Sequence, residues 1–350
     1  TGYSHLAGKG KPEHVWGLKE DARTSAQVVR EWIRKNNRWN SPKYILSESF
    51  GTTRTAAMLP YLNNRSEPIR LNGILFVSQA LDFTGSTPWT QNNLLAYVTY
   101  LPTMSATAWY HNRLKNKPQS LADHLQEVRE FAVQQYLPAL FKGSTLSAAE
   151  FEHIATKLSD YLGLDVNYIK RANLRVQSNR FQKELLREQG LTVGNFDTRY
   201  VTDEVDDLNV NARYDAASAA VSGAYSAALH HYLQNDLRVT WQRPYHLSGP
   251  EVGRNWVWFR DLQGEPEYVN TAPYLAEGLS KNPSLNVMVA NGYYDFSTPF
   301  FDAEFTFARH GIDSRRVSMK YYESGHMMYL HQPSLEKLAA DSRAFITASQ

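Results

Sequence analysis

Cysteine is absent from this chain, neither sign of charge is in large excess, and no long hydrophobic run occurs. Without cysteine there can be no disulfide, thiolate metal site, iron–sulfur cluster or cysteine nucleophile. The formal charge of +2, from 37 Lys and Arg against 35 Asp and Glu, gives no strong attraction to nucleic acid or to an acidic membrane surface. No apolar run approaches the roughly 18 residues that a membrane span needs. We therefore expect no nucleic-acid partner and no membrane span.

The residues that are present are typical of an ordered globular chain. Of the 350 residues, 42% are hydrophobic and 13% aromatic, which favours a packed protein over a disordered one. The length allows one large domain, or a core with an inserted domain. The opening segment, Thr1-Gly2-Tyr3-Ser4, has no initiator Met and no signal-peptide pattern. We therefore treat residue 1 as a possible cut inside a longer precursor.

Hydrophobic periodicity divides the chain into three zones. The first zone, residues 1–84, begins with an amphipathic helix around residues 26–33. Apolar runs at 43–46 and 71–78 then predict two strands, and residues 52–62 predict a helix between them. A strand, a helix and a strand in this order predict a parallel βαβ unit.

The second zone, residues 85–249, contains almost no strand signal. Apolar residues three or four positions apart predict helices, for example over 121–132. Another helix is predicted to begin after Ser147, a suitable N-cap with Glu150 three residues on. An alanine-rich stripe over 217–232 predicts a further long helix. The zone is therefore predicted to be a helical block.

The third zone, residues 250–350, alternates between strands and helices again. Strands are predicted at 286–290 and 316–322, and helices at 300–310 and 333–346. Because α/β segments flank the helical block, we predict an α/β fold with a mostly parallel sheet and a helical cap insertion. The core then comprises residues 1–84 and 250–350, and the cap comprises 85–249.

The sharpest local motif is Ser47-Glu48-Ser49-Phe50-Gly51, between the first predicted strand and the helix that follows it. A nucleophilic serine on a strand–turn–helix elbow needs small neighbours, because the turn is strained and its backbone lies close to other chain segments. The usual pattern is G-x-S-x-G, and Ser47 stands here at the first Gly. The alternative interpretation is a polar turn with no catalytic role.

An acid and a histidine follow two later strands. Asp295 comes shortly after the strand at 286–290, and His326 after the strand at 316–322. Open α/β sheets place their active sites at the carboxyl ends of strands. The order Ser49, Asp295, His326 is that of α/β-hydrolases, so we predict a catalytic triad on that fold. Taken singly, Asp295 could be a turn residue and His326 a buried structural histidine.

Each of these residues has a defined chemical role. His326 would take the proton of the weakly nucleophilic Ser49 hydroxyl, and Asp295 would hold the imidazole in the required tautomer. The backbone N–H of Phe50 would supply one oxyanion donor. A second donor normally comes from a Gly-rich loop after an earlier strand, and no such loop precedes Ser49 in this sequence.

Other patterns give little support to further sites. The acidic run 203–207 lacks the glycine and the final glutamate of a calcium-binding EF-hand loop, and we interpret it as a solvated loop. His230 and His231 are adjacent on a predicted helix and would point about 100° apart. Arg54 is interpreted as structural. There is no phosphate loop or dinucleotide fingerprint, so we expect neither a metal nor a cofactor.

The motifs resemble those of the serine carboxypeptidase family, in particular its bacterial branch. Glu48-Ser49-Phe50-Gly51 is similar to the family's E-S-Y-x-G nucleophile motif, and Ser324-Gly325-His326-Met327 resembles its catalytic-histidine motif. Thr1-Gly2-Tyr3-Ser4 resembles the end of its D-P-V-G-T-G-Y-S segment. Looser similarities occur in residues 71–82, 196–200 and 242–245. The likeness spans nearly the whole chain.

The resemblance implies a serine-type carboxypeptidase that removes single residues from peptide C-termini through an acyl-enzyme, best at acidic pH. Ser49, Asp295 and His326 would be the nucleophile, the orienting acid and the base. Glu48 would hold the terminal carboxylate of the peptide substrate by sharing a proton with it; otherwise it is a solvated turn residue. A secreted or periplasmic location is also implied.

One family segment has no counterpart here. The N-G-G-P-G segment lies upstream of T-G-Y-S in the family and supplies the second oxyanion donor, but this sequence begins at T-G-Y-S. We therefore expect the first strands of the sheet to be missing from the chain, which is either a fragment or completed by a separate N-terminal chain. Two alternative functions remain open: an esterase or acyltransferase with the same triad, and a non-catalytic hydrolase-like binding protein.

Overall fold

The computed structural model of this protein describes residues 2–87, 93–259 and 268–349, and Thr1 of the opening segment lies outside these ranges. Up to residue 87 the helices and strands are α1 (Leu18–Lys35), β1 (Tyr44–Ser49), α2 (Phe50–Leu62) and β2 (Gly73–Gln79). The middle of the chain contains α3 (Leu94–Tyr110), α4 (Leu121–Phe131), α5 (Leu137–Lys142), α6 (Ala148–Leu162), α7 (Val166–Arg171), α8 (Ser178–Glu184), β3 (Leu191–Val193), β4 (Val201–Asp203) and α9 (Ala216–His231). The last part contains α10 (Pro250–Arg254), α11 (Ala272–Lys281), β5 (Asn286–Gly292), α12 (Phe300–Arg309), β6 (Val317–Tyr322) and α13 (Gln332–Ala348).

Four strands form one parallel sheet in the order β1–β2–β5–β6. Each corresponds to a strand predicted from the sequence, and β1, α2 and β2 confirm the predicted parallel βαβ unit. The predicted α/β class is therefore confirmed. Because the strands run in the same direction, their carboxyl ends lie at one edge of the sheet. Ser49 is the last residue of β1, and Asp295 and His326 lie shortly after the ends of β5 and β6 at the same edge.

The inner strands are buried on both faces. In β2 every residue is buried: Ile74 and Phe76 pack against α1, α2 and α11, whereas Leu75 and Val77 pack on the face covered by Leu338 of α13. Burying one such side chain contributes roughly 1.5–3 kcal/mol. Burial on both faces explains why β2 is a continuous apolar run in the sequence and does not alternate.

Strand β1 lies at an edge of this sheet. Among the described strands it pairs only with β2, and Leu46 in its middle is 62% exposed. The backbone N–H and C=O groups along the outer side of an edge strand are free to pair with a further strand. The strand that ends at Ser49 is thus less enclosed than the two inner strands.

The helical block has a core of its own. Buried apolar side chains between Ala96 and Val193 form one cluster, which also includes Phe296. The capping box predicted at the start of α6 is confirmed, since Glu150 N donates to Ser147 Oγ at 3.2 Å and Ser147 N donates to Glu150 Oε2 at 2.8 Å. No helix in the described ranges is long and apolar enough to cross a membrane. The zone boundaries themselves stay predictions.

Two details of this block differ from the prediction. Strands β3 and β4 form an antiparallel hairpin, too short to produce a visible alternation in the sequence. The interpretation of the whole run 203–207 as a solvated loop is wrong for Glu204, which is buried. Lys183 Nζ lies 2.7 Å from Glu204 Oε2, and Arg213 N donates to Glu204 Oε1 at 2.8 Å. The side chains of Lys183 and Glu204 are 2% and 0% exposed.

We expect Glu204→Leu to lower the free energy of unfolding by about 3–5 kcal/mol, because it leaves the buried Lys183 ammonium without its acid. The double variant Lys183→Met with Glu204→Leu should lose much less, since no buried charge is left unpaired. Urea denaturation of the two variants and the unchanged protein measures both values. Equal losses in the single and double variants would contradict the argument.

Candidate active site

Ser49 occupies a strained backbone conformation at the end of β1. Its φ of 55° and ψ of −128° lie in a region that residues with a Cβ rarely adopt. The chain turns there directly from β1 into α2, which begins at Phe50. Such a conformation costs on the order of 1–3 kcal/mol and persists only where the surrounding packing holds it. Ser49 therefore has the strand–turn–helix setting of a nucleophile elbow.

The small residues around Ser49 fit this turn. A Cβ on Gly51 would lie only 3.3 Å from the Cβ of Ser47, so glycine at position 51 makes room for Ser47. The Ser47 hydroxyl accepts a hydrogen bond from Thr55 Oγ1 at 3.0 Å. Ser47 is thereby accommodated where the usual motif has glycine.

Asp295 and His326 form a buried hydrogen-bonded pair. His326 Nδ1 lies 2.8 Å from Asp295 Oδ2, and the two residues are 4% and 0% exposed, respectively. Asp295 Oδ1 accepts hydrogen bonds from the N–H groups of Ser297 and Thr298 at 2.8 and 2.9 Å. Thr298 Oγ1 donates to Asp295 Oδ2 at 2.6 Å. These donors fix the carboxylate, and the carboxylate in turn orients the imidazole.

The loop after β6 carries His326 across the edge of the sheet. Ser78, in β2, donates a hydrogen bond to the His326 carbonyl at 2.7 Å, although β5 lies between β2 and β6. The next residue of β2, Gln79, is the register partner of Ser49. His326 is thus placed beside the strand adjacent to Ser49. Asp295 and His326 are in contact. Ser49 lies near them, but no hydrogen bond joins its hydroxyl to the His326 ring, and both residues are among those that the structure describes.

Asp197 and Arg199, from the helical block, hold this loop. Arg199 Nη1 donates to the Glu323 carbonyl at 2.7 Å, and Gly325 N donates to Asp197 Oδ2 at 3.1 Å. Arg199 and Asp197 also form an ion pair with each other, with Nη2 and Oδ2 2.7 Å apart. A Cβ on Gly325 would lie 2.3 Å from the Phe196 carbonyl oxygen, so the close approach requires glycine there.

Glu48 and His326 are electrostatically coupled. Burial raises the pKa of Glu48, and it outweighs the opposing effects of the His326 charge and of the hydrogen bond from Tyr329 Oη to Glu48 Oε1 at 3.2 Å. Burial lowers the pKa of His326, but the charge and hydrogen bond of Asp295, together with the charge of Glu48, outweigh burial and raise it. Glu48 is therefore not a freely solvated turn residue.

Phe50 is the first residue of α2, so its N–H lies at the positive end of the helix dipole. Its ring makes edge contacts with Trp256 and Trp258, with centroids 5.4 and 5.8 Å away. Arg54 lies over the same ring and forms an ion pair with Asp21 at 2.6 Å. This pairing agrees with the structural interpretation of Arg54.

A cavity of about 380 Å³ opens beside Tyr329, the residue that contacts Glu48. Its apolar lining comes from α9, from Leu247 and from the segment after His326; the helix contributes Val221, Tyr225 and Leu229, and the segment contributes Met327 and Leu330. Helix α9 was predicted correctly, but its side chains beyond Ala217 are not buried in a core. Tyr225, for example, is 52% exposed. The helix forms one wall of an open cavity.

Reasoning from the sequence missed several residues that support the site: Ser78, Asp197, Arg199, Thr298 and Tyr329. Thr298 had a readable signal, because Asp side chains commonly accept hydrogen bonds from residues two or three positions on. Ser78 lay in a predicted strand, and Asp197 lay in a segment singled out only for its resemblance, but neither was assigned a role. Their contacts to residues 323–326 join distant parts of the chain, and no local pattern predicts such contacts.

No group of three or more His, Asp or Glu side chains among the described residues is placed to hold a metal ion. In comparisons with known proteins, no family model and no curated protein matches the chain. The likeness to serine carboxypeptidases therefore rests on the motifs quoted above.

We expect Asp295→Asn to lower the pKa of His326, because burial is then opposed only by the smaller effects of Glu48 and Asp215. An NMR titration of the His326 ring measures this change, and His124, whose pKa is lowered by burial in the helical block, serves as the control. An unchanged His326 midpoint in the variant would contradict the electrostatic role of Asp295.

The same shift has a consequence for stability. A histidine with a raised pKa in the folded state stabilises the fold fully below its unfolded pKa of about 6.5. This contribution is lost as the pH rises through the raised value. Asp295→Asn should reduce the loss of unfolding free energy that His326 causes as the pH rises. Unfolding experiments from pH 5 to 8 measure this loss, with His326→Gln as the reference that lacks the imidazole.

Proposed function

We propose that this chain is a serine hydrolase that removes residues from the C-termini of peptides through an acyl-enzyme. One observation carries the proposal: Ser49, strained at a strand end, shares the sheet edge with the buried Asp295–His326 pair. Residues held in such conformations cluster at active sites and ligand-binding sites. A secreted or periplasmic location belongs to the same proposal, through the resemblance.

In the first half of the reaction, Ser49 Oγ attacks the carbonyl carbon of the last peptide bond. His326 Nε2 takes the hydroxyl proton, while Asp295 keeps Nδ1–H in place and stabilises the imidazolium. The negative charge that develops on the carbonyl oxygen is held by the N–H of Phe50, at the start of α2. The C–N bond then breaks, and His326 returns the proton to the leaving amine.

In the second half, water replaces the released amino acid. His326 takes a proton from this water as the oxygen attacks the acyl carbon, and the proton passes to Ser49 Oγ when the ester bond breaks. The products are the shortened peptide and the free enzyme. An acyltransferase would use another nucleophile in place of water at this step.

Glu48 accounts for the proposed preference for peptides with a free C-terminal carboxylate. A carboxylate binds another carboxylate only when the two share a proton, and the raised pKa of Glu48 favours the protonated form. Tyr329 donates to the same carboxyl group and limits its position. The neighbouring apolar cavity offers room for the side chain of the released residue.

The full assignment is an α/β-hydrolase fold with a helical cap at residues 85–249. Among the described strands β1 pairs only with β2, and its other side is where we expect an additional strand, from upstream sequence or from a separate N-terminal chain. A strand there would lie next to Ser49, in a position to bring the second oxyanion donor. Loss of one such donor costs about 10²–10³ in rate in a known case.

Ser49→Ala should abolish the release of C-terminal amino acids from N-blocked dipeptides by the natural full-length protein, by about 10⁴-fold or more. Ser66→Ala, at an exposed position outside the site, is the matched control. Amino-acid release is measured from pH 4 to 8 with free-acid, amide and ester substrates. Retained cleavage in Ser49→Ala would rule out the triad. If the protein hydrolyses only esters, and a free terminal carboxylate on the substrate makes no difference to the rate, the result favours an esterase. If it turns over no substrate, the result favours a non-catalytic binding protein.

The pH profile tests Glu48. For free-acid substrates we expect kcat/KM to fall as pH rises through the raised pKa of Glu48, and to fall at low pH as His326 becomes protonated. Glu48→Gln should remove the alkaline fall, because an amide does not repel the substrate carboxylate. Tyr329→Phe should move that fall to higher pH, since it removes a hydrogen bond that lowers the pKa of Glu48.

Amide substrates are the control for this profile, because they have no terminal carboxylate. With amide substrates, kcat/KM should fall only at low pH, as His326 becomes protonated. This should hold for the unchanged protein, Glu48→Gln and Tyr329→Phe. A shift of the alkaline fall to lower pH in Tyr329→Phe, or its persistence in Glu48→Gln, would contradict the role of Glu48 while leaving the triad untouched.

A further inference from the structure

A second cavity, of about 290 Å³, lies in the helical block between α7 and α8. Most of its lining comes from Tyr168, Arg171, Arg180 and Arg187. Ala172 and Val210 add small apolar contributions. None of these residues belongs to the candidate active site. The lining of the cavity contains three cationic side chains and one acidic one, and the proposed function uses none of them.

The charges around this cavity are not balanced. Glu184 also lines it, and its carboxylate pairs with Arg187 Nε at 2.7 Å. Arg187 additionally donates to the backbone carbonyl of Asp207. Arg171 and Arg180 are exposed and make no hydrogen bond or ion pair with any described residue. Two guanidinium charges are therefore left without an acid.

Tyr168 completes a set of donors. Burial and then the charge of Glu184 raise the pKa of its phenol, and this outweighs the opposing charges of Arg180, Arg187 and Arg171. The phenol consequently stays protonated at neutral pH and can donate a hydrogen bond. All three cations lie close enough to the Tyr168 hydroxyl for their charges to act on it.

We propose that this cavity binds the phosphate group of a small phosphorylated molecule. A phosphate monoester carries about −1.5 to −2 charges at pH 7, which matches the two unpaired guanidiniums of Arg171 and Arg180. Its three terminal oxygens can accept from two guanidinium forks and from the Tyr168 hydroxyl together. The cavity exceeds the size of a phosphate ion, and Ala172 and Val210 offer apolar contact to an attached group.

Binding of phenyl phosphate, measured by isothermal titration calorimetry on the full chain, tests this proposal. We expect saturable binding and an increase in Kd of about tenfold or more in the double variant Arg171→Gln with Arg180→Gln. The double variant Arg65→Gln with Arg70→Gln removes the same charge from two exposed arginines outside the cavity and should leave Kd unchanged. Arg171→Lys with Arg180→Lys keeps the charge but loses the forks, and should bind with intermediate Kd.

Three results would overturn the proposal. The first is an absence of saturable binding, and the second is an equal loss of affinity in both Gln double variants, which would indicate general attraction to a basic surface. The third is equally tight binding of benzoate at matched ionic strength, which would make the cavity a carboxylate site. Circular dichroism of each variant verifies that it folds, and none of these readouts depends on hydrolytic activity.

Discussion

The hydrogen bond between Asp295 and His326 joins the ends of two strands where water is excluded. Buried ionisable groups are tolerated only when they are paired and hydrogen-bonded, so both side chains need partners within the fold. Thr298 and two backbone N–H groups satisfy the carboxylate. The loop after β6 must return over the sheet edge to deliver the imidazole, and Asp197 and Arg199 clamp that loop from the helical block. The helical block thus holds the loop that carries His326.

Ser49 is held differently, by backbone geometry at the end of an edge strand. Its strained turn is stabilised by the fit of Ser47 against Gly51 and by the start of α2. The Asp295–His326 pair is buried, whereas β1 pairs with a neighbour on one side only within the part of the chain that the structure describes. His326 is therefore held by its contacts to Asp295 and to the helical block, and Ser49 by the backbone of its own turn.

Much of the fold could be predicted, because strand and helix periods are visible in the residues themselves. The four strands of the parallel sheet and the capping box at Ser147 and Glu150 are local patterns, and the structure confirms them. The hairpin of β3 and β4 was missed because three-residue strands have no measurable alternation. Glu204 was misread as solvated because its partner Lys183 lies 21 positions away, and only folding brings the two together.

The sequence by itself determined the α/β class, the order of Ser49, Asp295 and His326, and their positions after strand ends, since all three follow from local spacing. Only the tertiary structure decided which of these residues touch, through contacts such as Ser78 to the His326 carbonyl across 248 positions. The tertiary structure also brought Arg171, Arg180 and Tyr168 together in the lining of one cavity. A local pattern records how a segment buries its own apolar side chains, whereas the pairing of buried or clustered charges depends on which distant segments the core brings together.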